Sequence, residues 1–302
     1  MPKRLSDMIP QLALLVATVL WASAFVGIRM GLQGYSPGPL ALLRFLVASI
    51  CMLLICMILP ARRRRLTGYT RFLLLVIGIL GLGCYNITLN TGETVVASGV
   101  ASFIISLSPV ITVIFASLFL GERFNIGMIA GMLISISGVG LIALAETHEM
   151  QFNTGLIFML VATLTCGLYS VMQKPFLTHY HAIEVTAWII WGCTLLLLFY
   201  LPGLLREWHF APGVATGAVI YLGIFPAAMG YVAWSYGLRA ISASKAAGYL
   251  YLMPVFASLM GWWMLGEVPA LLSLLGGFII LMGVWILSHH QRKLFTQDAF
   301  PG

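Results

Sequence analysis

Residues 108–122, SPVITVIFASLFLGE, and residues 253–267, MPVFASLMGWWMLGE, repeat one pattern at two places in the chain. Each stretch has Pro-Val near its start, then a run of apolar or small residues, and Leu-Gly-Glu at its end. They lie 145 positions apart. The same shift, without a gap, aligns VAT at 16–18 with VAT at 161–163, Tyr35 with Tyr180, and GV at 138–139 with GV at 283–284. This register predicts that the chain is a duplication of one unit.

The composition is that of a membrane protein. Of 302 residues, 61% are hydrophobic and 8% are charged, with a mean hydropathy of +1.01. Soluble domains carry about 25% charged residues, and a soluble fold of this length leaves about a quarter of its surface exposed. Lipid must therefore be the solvent for most of the chain. The five cysteines are scattered through apolar runs, which argues against a disulfide framework or a zinc site.

About 20 mainly apolar residues are needed to span a bilayer as a helix. The chain has ten such runs, so we predict an all-α integral membrane protein with ten transmembrane helices. The predicted spans are Ile9–Met30, Pro39–Leu59, Phe72–Asn90, Val95–Leu120, Ile126–Ala145, Gly155–Lys174, Val185–Leu204, Val214–Leu238, Ala246–Leu265 and Ala270–Ser288. The long apolar run after Lys3 and Arg4 lacks a small-residue cleavage site, so it is predicted to be a retained first span.

Basic residues between these runs predict the orientation. If the N-terminus is cytoplasmic, thirteen of the sixteen lysines and arginines lie inside, including the cluster at 62–65, and two, Arg29 and Arg206, lie outside. Cytoplasmic loops carry this excess of positive charge. We therefore expect a multi-pass protein of the cell inner (plasma) membrane with both termini cytoplasmic. The arginine cluster is interpreted as an anchoring loop, and no nucleic-acid partner is expected.

Five spans per unit have a topological consequence. Because five is odd, the second unit must enter the membrane from the opposite side. We predict two inverted five-helix repeats, residues 1–148 and 149–302. Inverted repeats of this kind occur in secondary transporters, in which near-equivalent halves exchange conformations and open a central cavity to either side.

Three stretches carry a resemblance to a known family. LWASAFVGIRMGL at 20–32, PLALLRFLVA at 39–48 and the paired Pro-Val…Leu-Gly-Glu stretches resemble the EamA-type transporters of the drug/metabolite transporter superfamily. The resemblance covers about residues 10–290. It implies ten helices in two inverted halves, a central cavity, and export of amino acids or related metabolites across the bacterial inner membrane. Arg44 aligns with Ile189 in the second half, so we expect the cavity to be chemically lopsided.

Polar and aromatic side chains within the spans are the candidates for substrate binding, because polar groups in lipid usually face a cavity or a partner helix. Arg44 is the sharpest hypothesis, since a guanidinium can pair with a substrate carboxylate. It can equally snorkel outward or hold a carbonyl or Glu93. For the amides on the third span, hydrogen bonding between helices is the alternative. The candidate residues are Thr18, Trp21, Arg44, Asn86, Asn90, Tyr169, Tyr231, Trp234 and Ser235.

Four further residues are candidates for gating. Arg29 and Lys174 are equivalent by the 145-residue shift and are predicted to lie at opposite membrane faces, as paired gate cations or as flanks that snorkel to headgroups. Pro109 and Pro254 are also equivalent, and each is expected to remove a hydrogen bond in mid-helix and to favour a kink.

The main hypothesis is a secondary transporter that exports small polar or amphipathic metabolites, most simply amino acids, by alternating access. A multidrug exporter of lipophilic cations is one alternative, but no span centre carries an acid to serve as counter-charge. A structural or receptor-like membrane protein is another. No span contains a nucleophile–base pair or an HExxH helix, so enzyme activity is not expected, and no cofactor or metal is predicted. The expected partners are a small-molecule substrate and the bilayer, and the chain acts as a monomer or a homodimer.

Overall fold

The computed structural model describes residues 3–59, 66–94, 104–122, 126–146, 154–265 and 271–298. These residues are almost entirely helical, and no strand occurs among them. Large apolar side chains cover the outward surfaces of the helices, among them Met57, Phe72, Leu118, Phe199 and Trp285. Such a continuous exposed apolar surface is typical of a protein whose outer solvent is lipid.

The described residues of the first half form five long helices. They are α1 (Lys3–Gly31), α2 (Pro37–Ile58), α3 (Gly68–Gly92), α4 (Ser108–Leu120) and α5 (Ile126–Glu146). Thr67 caps α3 by accepting a hydrogen bond from the Thr70 amide. At the C-terminal end of α4, Gly121 adopts φ 64°, the left-handed conformation with which glycine commonly ends a helix.

The described residues of the second half form five more. They are α6 (Thr154–His179), α7 (Ala182–Glu207), α8 (Gly213–Ala240), α9 (residues 243–265) and α10 (Leu271–Asp298). A short 3₁₀ segment interrupts α7 at Leu198–Tyr200, and another interrupts α9 at Tyr249–Leu252. Within the described residues, α1, α2, α3, α6, α7 and α8 are long and apolar enough to cross a membrane.

Most predicted spans lie within the observed helices, which extend a few residues beyond them. The fourth prediction, Val95–Leu120, differs most in the described residues. Helix α4 begins only at Ser108, after a turn at 106–107, and residues 95–103 lie outside the described part of the chain, as do the arginines at 62–65. The ninth predicted span is divided by the 3₁₀ segment at 249–252, which lies just before Pro254.

Helices α3 and α8 each contain a wider, π-helical turn at the same place in the two halves. The π segments are Gly78–Gly83 in α3 and Gly223–Met229 in α8, and their first residues are 145 positions apart. A Cβ at position 78 would lie 2.0 Å from the Ile189 carbonyl oxygen, and one at position 223 would lie 2.7 Å from the Arg44 carbonyl oxygen. Glycine is therefore needed at both places, because another backbone occupies the space.

Helices pair across the two halves in a regular way. Helix α1 packs on α8 and α9, and its equivalent α6 packs on α3 and α4. Helix α2 contacts α8, and its equivalent α7 contacts α3. Three pairs join equivalent helices directly: α2 with α7, α4 with α9, and α5 with α10. When the two halves are exchanged, each of these contacts therefore becomes another contact of the set or, for the three pairs of equivalent helices, the same contact.

The exchange holds at the level of single residues. A Cβ at Gly138 would meet the Gly276 carbonyl oxygen at 2.6 Å, and a Cβ at Gly283 would meet the Gly131 carbonyl oxygen at 2.7 Å, so α5 and α10 pack backbone to backbone. Ser49 and Thr194 are themselves 145 residues apart, and their hydroxyl oxygens lie 2.7 Å from one another. Two equivalent positions can be in contact only if both lie at the boundary between the two halves, as Ser49 and Thr194 do.

Candidate functional site

A central cavity lies between helices of both halves, with about 640 Å³ of empty space including its open side. Its wall combines large aromatic and aliphatic side chains with few polar groups, as is usual for small-molecule sites. The lining residues are Trp21, Ala24, Phe25, Ile28, Arg44, Leu82, Tyr85, Leu89, Ile105, Ser108, Cys166, Tyr169, Ser170, Tyr231, Leu250 and Met253. Four of the nine predicted substrate-binding residues, Trp21, Arg44, Tyr169 and Tyr231, therefore share this wall.

Tyr231 is the centre of an aromatic cluster on the wall. Its ring centroid lies 5.2 Å from that of Trp21, 5.9 Å from that of Tyr169 and 6.3 Å from that of Phe45. These separations fall in the range preferred by interacting aromatic pairs. The Trp21 indole N–H donates to the Pro226 carbonyl oxygen at 3.0 Å, which holds the ring against the π segment of α8.

Arg44 is 2% exposed, and among the described residues it is the one basic side chain that lines the cavity. Its Nη1 donates to the Asn86 side-chain oxygen at 3.2 Å, while Nε is buried and has no hydrogen-bond partner among the described residues. The Asn86 amide in turn donates to the Leu82 carbonyl oxygen at 2.8 Å. Asn86 thus positions the guanidinium from behind. Because a buried charge is costly unless fully paired, Arg44 retains capacity for an anionic ligand.

Two other predicted site residues lie away from the wall. The Asn90 amide donates to the Pro37 carbonyl oxygen at 3.2 Å and ties α3 to the start of α2. The Thr18 hydroxyl donates to the Leu14 carbonyl oxygen one turn earlier in α1, at 2.8 Å. Both residues are fully buried. These contacts correspond to the interhelical alternative for Asn90 and to helix-backbone bonding for Thr18.

Trp234 and Ser235 are fully buried behind the wall. The Ser235 hydroxyl accepts from the Thr186 hydroxyl at 2.8 Å and donates to the Gln173 side-chain oxygen at 3.1 Å, which links α7, α8 and α6. The Trp234 ring lies 5.2 Å from that of Trp21, so it supports the aromatic cluster from outside. The sequence did not single out Gln173 or Thr186.

At one end of the bundle, hereafter the Lys174 end, side chains tie several helices together. The Lys174 ammonium donates to the backbone carbonyl oxygens of Leu238, Arg239 and Ile241, at the end of α8. Cations favour helix C-termini for this reason. The Glu122 carboxylate, after α4, accepts from the amides of Ala243 and Ser244 at 2.7 and 3.1 Å, at the start of α9. These contacts join two pairs of helices at this end, α6 with α8 and α4 with α9.

At the opposite end, hereafter the Arg29 end, the ties are different. The Glu207 carboxylate accepts from the Ser36 amide at 2.9 Å and from its hydroxyl at 2.6 Å, which joins α7 to α2. Arg29 is exposed. Glu93 follows α3, and both of its carboxylate oxygens are buried without a hydrogen-bond partner among the described residues. Burial raises the pKa of Glu93 to about 8, although the charges of Arg44 and Arg29 oppose the rise.

The two candidate gating prolines lie at helix starts and not in mid-helix, which corrects the expected geometry. Pro109 is in the first turn of α4, and Pro254 is in the first turn of the last part of α9. A proline in the first turn costs no hydrogen bond, because that N–H lacks a helical acceptor in any case. Both prolines therefore mark a break between helical segments at equivalent positions.

Sequence patterns missed several residues of the wall. Tyr85 precedes Asn86, Ser108 precedes Pro109, and Cys166 lies one turn before Ser170. For Tyr85 and Ser108, the available signal was their position next to the candidate residues Asn86 and Pro109. Among the residues that the structure describes, no three His, Cys, Asp or Glu side chains group together as metal ligands would.

Comparison with known proteins agrees with this architecture. The sequence model of the EamA-like transporter family matches twice, at residues 8–144 and 153–289, and the two matches are offset by 145 residues. The chain belongs to the EamA-like transporter family. It is therefore a multi-pass membrane protein of a family of transporters, with a small-molecule substrate, and nothing in the family indicates catalysis.

Two relatives match almost end to end. The chain is 36% identical over 290 residues to a "Probable terminal-alkyne amino-acid exporter" of Streptantibioticus cattleyicolor, covering 96% of this chain and 97% of the relative. It is 38% identical over 279 residues to the transporter YdfC of Bacillus subtilis, covering 91% and 90% of the two chains. A crystal structure at 19% identity superposes with a TM-score of 0.77 over 94% of this chain and 98% of the other, which shows a shared fold.

Proposed function

We propose that this EamA-like transporter exports amino acids or closely related compounds across the bacterial inner membrane by alternating access. The observation that carries the proposal is Arg44, a nearly buried cation on the wall of an aromatic cavity, with a nitrogen that lacks a partner. A relative of 36% identity bears the name of an amino-acid exporter, which agrees with this ligand class.

The proposed architecture has ten transmembrane helices in two inverted five-helix repeats, residues 1–148 and 149–302. The matched helix pairs and matched glycine contacts support a two-fold relation between the halves. An odd number of spans per repeat makes that relation an inversion. The positive charges of the sequence then favour cytoplasmic termini and place the Lys174 end inside.

An α-amino acid matches the polar groups of the wall. Its carboxylate would pair with the Arg44 guanidinium, which is shaped for that group. The hydroxyl oxygens of Ser108 and Tyr169 are buried, Ser108 beside Cys166 and Tyr169 beside Gln173 and Ser235, and either can accept from the substrate ammonium. Trp21 and Tyr231 offer aromatic surface to an apolar side chain. Amino acids with apolar or aromatic side chains are accordingly the preferred substrates.

Lipophilic cations fit this wall less well. Among its described residues the ionised side chain is Arg44, and no carboxylate lines the cavity. A cationic ligand would therefore meet a like charge in a low-dielectric site, which is unfavourable. The multidrug alternative gains no support from this surface.

The test is counterflow of labelled amino acids in proteoliposomes, with purified wild-type protein and two substitutions of Arg44. We expect Arg44→Gln to raise the apparent KM at least about tenfold, because the carboxylate loses its charged partner. Arg44→Lys should retain part of the affinity, since it keeps the charge but loses the planar donor pair. Arg206→Gln is the matched control, because Arg206 is exposed and lies away from the cavity.

Two outcomes would contradict the proposal. Saturable flux of a quaternary ammonium compound with no flux of any amino acid would overturn the substrate class. Equal KM values for wild type and Arg44→Gln, with both proteins monodisperse and equally heat-stable, would remove Arg44 from the binding site.

A further inference from the structure

Glu93 is a buried acid that the described contacts leave unsatisfied. It lies directly after α3, and both of its carboxylate oxygens are buried with no hydrogen-bond partner in the described part of the chain. A carboxylate in such a place is stable only if it is protonated or if a cation reaches it. A second arrangement of the surrounding groups would remove this cost.

Arg29 and Lys174 hold the same place in the two repeats but make different contacts. Lys174 binds the carbonyl oxygens of Leu238 and Arg239 at the end of α8. A shift of 145 residues converts Lys174 to Arg29, Leu238 to Glu93 and Arg239 to Thr94. Arg29, in contrast, is exposed, and no hydrogen bond of its side chain to Glu93 or Thr94 occurs among the described residues. The Lys174 end is tied, whereas the Arg29 end lacks the equivalent tie.

The cavity lies between the two ends. Its lining includes Ile28 and Leu89 toward the Arg29 end and Ser170, one turn before Lys174, toward the Lys174 end. The two ends differ in their contacts: Lys174 holds α6 to the end of α8, whereas the equivalent contact of Arg29 with the end of α3 is not made among the described residues.

We infer that Arg29 and Glu93 form an ion pair when the cavity closes at the Arg29 end. In that step Glu93 releases its proton, and its carboxylate pairs with the Arg29 guanidinium instead. The inference rests on the proposed alternating access, in which the two repeats exchange conformations. After the exchange, Arg29 reaches the end of α3 as Lys174 now reaches the end of α8. At that point the first repeat has a carboxylate where the second has Leu238.

The charges around Glu93 set the direction of the pH dependence. Burial raises its pKa to about 8, while Arg44 on α2 and Arg29 on α1 act against the rise. Tyr85 on α3 also faces it, and α6 contributes the apolar Met159 against Gly92. In the described conformation the carboxyl is therefore mostly protonated at neutral pH. An ion pair with Arg29 lowers the pKa, so closure releases the proton from Glu93 and becomes more favourable as the pH rises toward 8.

Access to Cys166, on the cavity wall, measures the conformation without any need for transport. The background protein keeps Cys166 and has alanine at Cys51, Cys56, Cys84 and Cys193. Proteoliposomes at a fixed pH of about 8 receive a membrane-impermeant maleimide on the face of the Arg29 end. A cysteine introduced at the exposed Arg206 identifies that face. The labelling rates of Arg29→Gln, Glu93→Gln and the double variant complete a double-mutant cycle.

We expect each single variant to raise the labelling rate about threefold or more. The double variant should be labelled at the same rate as the single variants, because either substitution alone already removes the whole ion pair. Arg206→Gln removes an exposed cation from the same end and should leave the rate unchanged. Additive effects, or no effect of either substitution in well-folded protein, would overturn the ion pair.

A pH series tests the proton exchange. Dividing the wild-type rate by the Glu93→Gln rate at each pH cancels the ionisation of the thiol itself. This ratio should fall as the pH rises from about 6 to about 9, and a constant ratio would overturn the exchange.

Failure of this inference can be told apart from failure of the proposed function. If Cys166 is labelled from neither face in any variant, alternating access itself fails, whereas amino-acid flux with an additive cycle removes the ion pair alone.

Discussion

Arg44 combines a proposed role in binding with a structural one. Its Nη1 donates to Asn86, and its Nε remains without a partner at the cavity. Asn86 and Asn90 look alike in sequence, four positions apart on one helix face. In the structure they differ, because Asn86 supports the guanidinium while Asn90 bonds to the backbone of α2.

This difference predicts distinct effects of two matched substitutions. Asn86→Leu should weaken amino-acid binding, seen as a higher KM in counterflow, and should lower stability by about 1–3 kcal/mol, since it removes a partner from a buried charge. Asn90→Leu should lower stability without the change in KM. Thermal unfolding and counterflow on the same preparations separate the two, and equal KM shifts for both variants would show that the amides act together on the substrate.

Residue patterns predicted four of the sixteen residues of the cavity wall, because polar or aromatic side chains inside a lipid-facing helix are rare enough to be informative. Trp21, Arg44, Tyr169 and Tyr231 were predicted on this basis and do line the cavity. Trp234 and Ser235 were also predicted but lie behind it. Helical periodicity gives the face of a residue, whereas its depth depends on how closely the neighbouring helix approaches.

At the scale of elements, close backbone contacts decide which helices pair. Helices α5 and α10 meet where Gly138 lies against Gly276 and Gly283 lies against Gly131. Small residues permit this approach in membrane proteins, in which packing and not hydrophobicity drives helix association. Gly131 thus takes part in a helix contact within the chain.

We therefore expect Gly138→Ala to destabilise the protein by about 1–3 kcal/mol, because the new methyl group would overlap the Gly276 carbonyl oxygen. Gly217→Ala is the control. It lies exposed in α8 with no atom within 4 Å of the added carbon, so it should be neutral or stabilising by up to about 1 kcal/mol. Unfolding in detergent, followed by circular dichroism, measures both. Equal stability of the two variants would contradict backbone contact between α5 and α10.

Element boundaries show where sequence reasoning is weakest. Hydropathy located most of the described helices to within a few residues, six of them long and apolar enough to span a membrane. It could not reveal the 3₁₀ segment in α9 or the π segments in α3 and α8, since these do not change the apolar character of the run. The late start of α4 and the placement of both prolines at helix starts depend on backbone geometry that composition does not encode.

For the whole molecule, the proposed inversion of the second half predicts which face of the membrane each loop occupies. Gln33 and Thr178 are exposed, and they are equivalent by the 145-residue shift. Single cysteines at these two positions should react with an impermeant maleimide from opposite faces of the membrane, with position 33 outside and position 178 in the cytoplasm. Reaction of both from the same face would exclude inverted repeats, whatever the number of helices.

The duplication could be predicted from the sequence because a single ungapped register relates the two halves. The pairing of α2 with α7 and of α5 with α10 could not, because similarity between two segments does not say whether they touch. Arg44 could likewise be predicted to break the equivalence of the halves, yet its support by Asn86 required the folded chain.

The contact between Ser49 and Thr194 has an implication for origin. These hydroxyls occupy one position in two copies of the same unit, and they meet at 2.7 Å. In an ancestor made of two separate half-length chains, that contact would join a residue to its own counterpart in an identical subunit. If the halves are inverted as proposed, a half-length gene product would have to insert into the membrane in both orientations, and fusion of the two copies would have fixed one orientation for each half.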